Sequence, residues 1–566
     1  MMITLVLSSN MKRMMKDNVL VRKLTGIETS GNLNYLLTDK TGTLTKGELS
    51  VTEFISGDLK HFKKSDSIPS KIKDIIYESV VINNECVINN NKIIGGNSTD
   101  KALIKYFKYN KDYQKKIIDR INFNSDNKYS VVKFQDYSLI KGASEVLLDK
   151  CNKVLTSFNK IENIDKRKIE REIKVNTEKG IRVLTLVKNV QNDYIFLGLI
   201  LIRDELRKEA KEGINLIKNA GINVIMITGD HSLTAKSIAI DSGVITKKDD
   251  LVLTSDDLKK MDDEDIKKII SKIKVVARAL PSDKSRLVRI LKELNQVVGM
   301  TGDGVNDAPA LRCANVGFSM GSGSEVAKEA SDIVIVDDNI LSISKAILYG
   351  RTTLKSIRKF IVYQLTVNMT ALNISILGSF IGVSTPITII QMLWLNMIMD
   401  TFAGLAFSFE PPLKYYMEES PGKVEDPIIN RYMYSQIIYL TIVSSILCIV
   451  FLKCPFILNF ISRDPKTFMT AYFALFIFIG VFNSYNARSE RLNIFSNLIK
   501  NKIFIVISIF IICTQIFLIY HGGDLFRTYG LLKRELLFVI LMSLSVIPLD
   551  FIRKVYLKKK GYKLGY

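Results

Sequence analysis

Hydrophobic and polar positions follow two regimes along this chain. Up to about Leu348, apolar residues come in short runs broken by Lys, Asp and Glu, the pattern of an α/β protein in water. Asn34–Leu37, Val224–Ile227 and Val297–Met300 predict short buried strands, each running into a polar turn that contains glycine. Beyond Phe360 the pattern changes to long apolar stretches: Ile361–Ile381, Pro386–Phe407, Tyr434–Leu452, Phe468–Phe482, Ile503–Tyr520 and Leu536–Phe551. A membrane-spanning helix needs roughly 20 such residues, so six spans are expected. The 566 residues exceed what one core holds. A soluble half followed by a membrane half is the reading. Met1–Leu7 is apolar but too short to span, and no basic residue or cleavage site marks a signal peptide. It reads as the last turns of a helix that starts earlier.

Charge and rare residues change this picture little. The net charge is +22, but Lys is spread along the soluble half without a basic stripe interleaved with aromatics, which argues against nucleic acid. The basic tail of Arg553, Lys554, Lys558, Lys559, Lys560 and Lys563 follows the last span, and the positive-inside rule places it in the cytoplasm. An even number of spans returns the chain to its starting side, so the soluble half is expected there too. The six cysteines show no CxxC or metal-ligand spacing and the three histidines are scattered, as for free thiols and no histidine metal site.

The candidate chemistry lies in the strand-ending turns. Asp39-Lys40-Thr41-Gly42-Thr43-Leu44-Thr45 follows the first predicted strand. An Asp at the carboxyl end of a parallel strand sits where α/β sheets place reactive groups, and a carboxylate can act as a nucleophile. Gly42 lets the backbone turn closely around a phosphate. Thr228-Gly229-Asp230 ends the second strand and suits phosphate oxygens, while Lys284, in Pro281-Ser282-Asp283-Lys284, can neutralise phosphoryl charge. Thr301-Gly302-Asp303-Gly304-Val305-Asn306-Asp307-Ala308-Pro309 holds two carboxylates four apart, which suit Mg²⁺. Each piece alone would pass for a surface turn. Four in this order do not.

Together these four motifs resemble the P-type ATPases, from about residue 4 to the end. The resemblance implies an α/β haloacid-dehalogenase-like phosphorylation domain from residues 16–50 and 197–345. An inserted α+β nucleotide-binding domain would occupy 51–196, and an all-α bundle of six transmembrane helices 346–566. Residues 1–15 would be the cytoplasmic end of a truncated span. Asp39 would accept the phosphate, and Asp39, Asp303 and the Thr41 backbone would hold Mg²⁺. Thr41, Thr228, Gly229, Asp230, Lys284, Asn306 and Asp307 match the family's phosphate and nucleotide contacts. In the insert, Asn122–Lys128 resembles an FNS-x-x-K segment, with Phe123 stacking on adenine and Lys128 beside the nucleotide. Lys141, in KGASE, would line the ATP pocket, and Arg182 would reach the phosphates. Gly96–Leu103 stands for GNPTEGAL, with Ser98 and Asp100 as departures; Asp100 would face the adenosine. Asp204 and Arg207 are what remains of a DPPR hinge.

Polar residues inside spans point to cargo. The first span carries Gln364, Asn368 and Asn373; the second carries Gln391, Asn396 and Asp400. Four residues apart, Asn396 and Asp400 are expected on one helix face. Oxygen ligands without thiol or imidazole favour a hard cation such as Ca²⁺. Hydrogen bonding between helices is the other reading for Gln364 and Asn373. These segments look most like the plasma-membrane-type Ca²⁺ pumps. Ala371, Met399 and Gly480 stand where two-site relatives have ligands, implying one cation site on Asn396, Asp400 and Asn368. The family also has an actuator domain with a Thr-Gly-Glu loop, and earlier spans that complete the site. Neither lies in these residues, so the expectation is a fragment, a misread start or one half of a split pump in the plasma membrane. A separate N-terminal half would be its partner. Competing readings are export of Na⁺ or Mn²⁺, a membrane-anchored phosphatase, and a non-pumping nucleotide-binding remnant.

Overall fold

The computed structural model describes residues 2–89, 92–107, 117–124, 126–383, 386–422, 427–461 and 464–561. The chain divides into two compact units: Met1–Asn34 with Asn295–Val297 and Lys345–Tyr566, and Tyr35–Leu294 with Val298–Ser344.

The second unit is built on a parallel sheet. Its strands run in the order Ile333–Ile335, Val316–Met320, Val298–Gly302, Tyr35–Asp39, Asn223–Ile227, Ile273–Ala277 and Leu251–Thr254. Leu36, Leu37, Ile225, Met226 and Met300 are fully buried, as the continuous apolar runs require of strands covered on both faces. Tyr35–Asp39 pairs in parallel with Asn223–Ile227 on one side and with Val298–Gly302 on the other. The chain leaves this strand in one direction and returns later on its other flank. Such a switch point opens a crevice at the carboxyl ends of the strands, and Asp39 stands there.

Two long antiparallel strands, Thr45–Ser56 and Asp193–Leu206, lead from that crevice into a second, mainly antiparallel sheet. They run without a break through positions 51 and 196, where the insert was expected to begin and end. Their pairing carries on past both positions, with a register shift where Glu53 and Val51 face Leu201 and Ile202. Arg182–Val190 and Ser138–Ala143 extend this sheet. Helices Ser70–Val81 and Ser98–Phe107 pack on one face through Ile72, Ile76 and Leu103 against Phe54 and Leu186. Burying each such side chain stabilises by about 1.5–3 kcal/mol.

Among the described residues six helices are long and apolar enough to cross a membrane: Ile340–Phe380, Ile389–Ser408, Arg431–Lys453, Pro465–Arg488, Lys502–His521 and Lys533–Lys559. They are called spans 1 to 6 in chain order. Span 1 extends well before Ile361, because residues 340–360 hold no Pro or Gly pair to stop a helix. Span 2 is interrupted by a π-helical stretch, Leu395–Met399. Span 6 runs to Lys559, past the Phe551 at which the last span was expected to end. Arg553 and Lys554 lie within it and are buried, with Arg553 Nε 2.7 Å from Asp550 Oδ1 and Lys554 Nζ 3.0 Å from Asp550 Oδ2. Lys554 also donates to the Ser489 carbonyl at 2.8 Å. A buried acid one turn earlier recruits charges that sequence position alone assigns to water. Lys563 lies outside the described residues.

Candidate functional site

Three strand ends converge on Asp39. Its backbone N–H donates to Thr301 Oγ1 at 2.9 Å, which ties Tyr35–Asp39 to the end of the strand Val298–Gly302. Lys40 N–H donates to Asp39 Oδ1 at 2.7 Å and fixes the carboxylate. Gly42, at φ +72°, turns the loop back; a Cβ there would stand 3.1 Å from Asp303 Oδ2. At Gly302 a Cβ would collide with Asp307 Cβ at 2.5 Å. That close approach lets Asp307 Oδ2 accept the N–H groups of Asp303 and Gly304, both at 3.2 Å.

The Pro281-Ser282-Asp283-Lys284 motif has a plain structural logic. Pro281 opens helix Pro281–Glu293, and Asp283 Oδ2 accepts the Leu280 N–H at 2.8 Å. With its start so fixed, the helix delivers Lys284 into the crevice. Lys284 Nζ lies 3.2 Å from Asp39 Oδ2 and 2.7 Å from Asp307 Oδ1. Burial alone would lower the Lys284 pKa, but Asp39 and Asp307 outweigh it and raise it. Burial pushes the Asp39 carboxyl up to about 6, with Asp307 adding to the rise and Lys284 opposing it. Asp303 is raised too, by burial and then by Asp307.

Ligand oxygens of Asp39, Asp303 and Asp307 all lie within 4.8 Å of one another. One ammonium against three clustered carboxylates leaves room for further positive charge, so the donor set fits Mg²⁺. Thr228 is buried, whereas Gly229 and Thr41 are exposed beside the site. No heavy atom lies within 4 Å of a Cβ at Gly229, which leaves its backbone open to a ligand. Asn306 is exposed.

Asp204 and Arg207, the remnant of the hinge motif counted with the nucleotide-binding residues, lie against the loop that follows Asp39. Asp204 accepts from Thr45 Oγ1 at 2.6 Å and from the Gly47 N–H at 3.0 Å, and Arg207 donates to the Gly42 and Thr45 carbonyls. Both hold the loop that follows Asp39. Lys40, which the motif reading passed over, bridges Asp230 at 2.8 Å and Asp204 at 3.4 Å while almost fully buried.

A second cavity, of about 480 Å³, lies in the insert. It brings together Asp100, Phe123, Lys128, Lys141 and Arg182, which the sequence had spread over more than 80 positions. The Phe123 ring is 50% exposed, an apolar face free to stack. Lys141 is buried, 2.5 Å from Asp100 Oδ1, and also donates to the Asn83 carbonyl; burial lowers its pKa. The shorter acid at 100 therefore serves Lys141 as counter-ion. Arg182 donates to Thr99 Oγ1 at 3.0 Å. Arg120, Asn83 and Asn84 complete the wall and were missed, since none belongs to a motif. Ser125 of the FNS-like segment lies outside the described residues.

Comparison with known proteins agrees with this geometry. A family profile for haloacid dehalogenase-like hydrolases matches residues 34–315, and one for the C-terminus of cation transporting ATPases matches 384–556. A calcium-transporting ATPase, PAT1, of Dictyostelium discoideum is 33% identical over 99% of this chain and 56% of its own length. Plasma membrane calcium-transporting ATPase 4 of Bos taurus is 33% identical over 99% of this chain and 52% of its own. The chain belongs to the P-type cation-transporting ATPases. It spans about half the length of the curated relatives it matches.

As a P-type ATPase it is a multi-pass membrane protein, and its spans carry the remaining candidates. Asp400 is buried at the end of the π-helical stretch. Its Oδ2 accepts from Gln364 Nε2 at 3.3 Å, and its Oδ1 has no hydrogen-bond partner. The expected common face with Asn396 is not seen: Asn396 is exposed while Asp400 is buried. A π turn holds one more residue than an α turn and shifts the side chains on either side of it. Asn368 is half-buried, and Asn373 Nδ2 donates to Ser445 Oγ at 3.4 Å, the interhelical bond that was the alternative for it.

Proposed function

We propose that this chain is the phosphorylated and cation-carrying part of an ATP-driven Ca²⁺ transporter. The observation that carries the proposal is Asp39 at the sheet's switch point, with Lys284 3.2 Å away and Asp303 and Asp307 clustered beside it. A carboxylate so placed attacks the terminal phosphorus of ATP, forming the aspartyl phosphate and releasing ADP. Lys284 neutralises charge on the transferring group, and Thr228 with the Gly229 amide holds its oxygens. Mg²⁺, held by Asp39, Asp303 and the Thr41 carbonyl, would supply Lewis-acid charge. Phe123, Lys128, Lys141 and Arg182 would hold the nucleotide, with Asn306 and Asp230 nearer the phosphates.

Asp400 is the centre of the proposed cation site, with Asn368 and Asn396 as further amides. Ca²⁺ takes about 6–8 oxygens, more than these side chains supply. The reading therefore includes an actuator-bearing N-terminal segment, upstream or separately encoded, that adds ligands and drives dephosphorylation. It also places the soluble domains and the C-terminus in the cytoplasm, at the plasma membrane. The calcium-transporting names of the Dictyostelium discoideum and Bos taurus relatives support Ca²⁺ over Na⁺ or Mn²⁺.

Co-expression with such an N-terminal half should give Ca²⁺ uptake into inverted vesicles that Asp400→Asn abolishes. Uptake indifferent to Asp400→Asn would refute the cation site.

A further inference from the structure

Span 5 buries Phe504, Ile507, Ser508, Gln515, Leu518 and Ile519, spaced so that they form one face of the helix. Among these, Gln515 is an anomaly. It is fully buried, and neither its Nε2 nor its Oε1 has a hydrogen-bond partner. An orphaned buried amide is costly, and in a lipid-flanked bundle bulk water does not relieve it. Such a group in a native fold points to a water or an ion that completes it.

Its depth is fixed by two contacts between spans 2 and 5 and the short segment after span 5. The rings of Phe402 and Phe510 are 5.1 Å apart, and those of Trp394 and Phe526 are 5.9 Å apart. Gln391 Nε2 also donates to the Phe526 carbonyl at 2.8 Å. Gln515 lies between Phe510 and Phe526, and the π-helical stretch with Asp400 lies between Trp394 and Phe402. By helical rise Asp400 lies about 3 Å and Gln515 about 7.5 Å from the shared Phe402–Phe510 level, so the two are within about one helical turn of each other in depth. Ser508 and Ile511 of span 5 line an interhelical cavity with Met399 and Ala403, close neighbours of Asp400 in sequence. Asp400 Oδ1 is itself without a partner. On this face of span 5 the buried amide is Gln515, whereas Asn396 of span 2 is exposed.

We propose that Gln515 is an oxygen ligand, direct or through one water, for the cation that Asp400 binds. The inference rests on the cation-transport reading and deepens it. A neutral amide oxygen suits a hard divalent cation, adding a ligand without adding charge.

The test is equilibrium binding of radioactive Ca²⁺ to the full chain in detergent, into the millimolar range. Fluorescence of Trp394, the single tryptophan, is read in parallel. Saturable binding is expected in the wild type and none in Asp400→Asn. Gln515→Leu should raise the midpoint tenfold or more, and Gln515→Glu, which adds a charged oxygen, should lower it at least threefold. The second variant decides the matter if the first does not fold. A merely structural amide gives another result: Gln515→Leu removes an unsatisfied group, raises the thermal midpoint and leaves Ca²⁺ affinity within twofold. That outcome, with Asp400→Asn still inactive, overturns the role of Gln515 and leaves the cation reading standing. Absence of saturable binding in the wild type overturns Gln515 as a ligand supplied by this chain, and uptake by the co-expressed halves then decides the cation reading.

Discussion

Lys284 Nζ stands 3.2 Å from Asp39 Oδ2, although 245 positions separate the two residues. The same ammonium is 2.7 Å from Asp307, so a single cation balances a buried acid cluster. Removing one partner of a buried ionic group costs about 3–5 kcal/mol, because the others are left uncompensated. Lys284→Met should therefore lower the melting temperature markedly in metal-free buffer. Added Mg²⁺ should restore more of the loss than it adds to the wild type. Equal Mg²⁺ effects on both proteins would argue that the acids do not form a metal site.

The raised Asp39 carboxyl makes stability depend on pH. In the folded protein its pKa is about 6, against an ordinary 3.8. Its contribution is fully present below the unfolded pKa and is lost as pH rises through the folded one. Two units correspond to about 3 kcal/mol. Asn resembles the neutral acid and does not titrate. In metal-free buffer Asp39→Asn should match the wild type near pH 4 and exceed its stability by up to about 3 kcal/mol at pH 8. Thermal denaturation at both values checks the sign; a variant less stable at pH 8 contradicts it.

Phe123 presents its ring to the insert's cavity with little packing behind it, so its loss should cost binding more than folding. Phe123→Ala is expected to weaken ATP binding by roughly 1–3 kcal/mol, the scale of one aromatic–base stack. Its melting temperature should hardly move. Unchanged affinity in a titration calorimeter would place the base elsewhere.

Much of this site could be read from the sequence because its parts are short consecutive motifs at strand ends, where backbone geometry dictates residue type. Gly42, Gly302 and Asp283 are each required by a local turn, a close approach or a helix start. The parts that escaped depend on packing between distant elements. Arg120, Asn83 and Asn84 reach the nucleotide cavity from elements without a motif, and Lys40 becomes a bridge only when Asp230 and Asp204 are folded around it. In the membrane half, hydropathy placed the six spans, but α-helical spacing misjudged Asn396, because a π turn leaves no mark in the apolar pattern. The burial of Lys554 beside Asp550 escaped for a related reason. Charge rules for tails do not foresee a partner inside the helix.

The central claim is that Asp39 takes the phosphate, and it is tested most directly by labelling. Incubated with Mg²⁺ and γ-labelled ATP, then quenched in acid, the chain should carry one acid-stable, hydroxylamine-sensitive phosphate. That label should be absent from Asp39→Asn, in which the nucleophile is gone. Equal labelling of Asp39→Asn, or a label that survives hydroxylamine, would contradict the account.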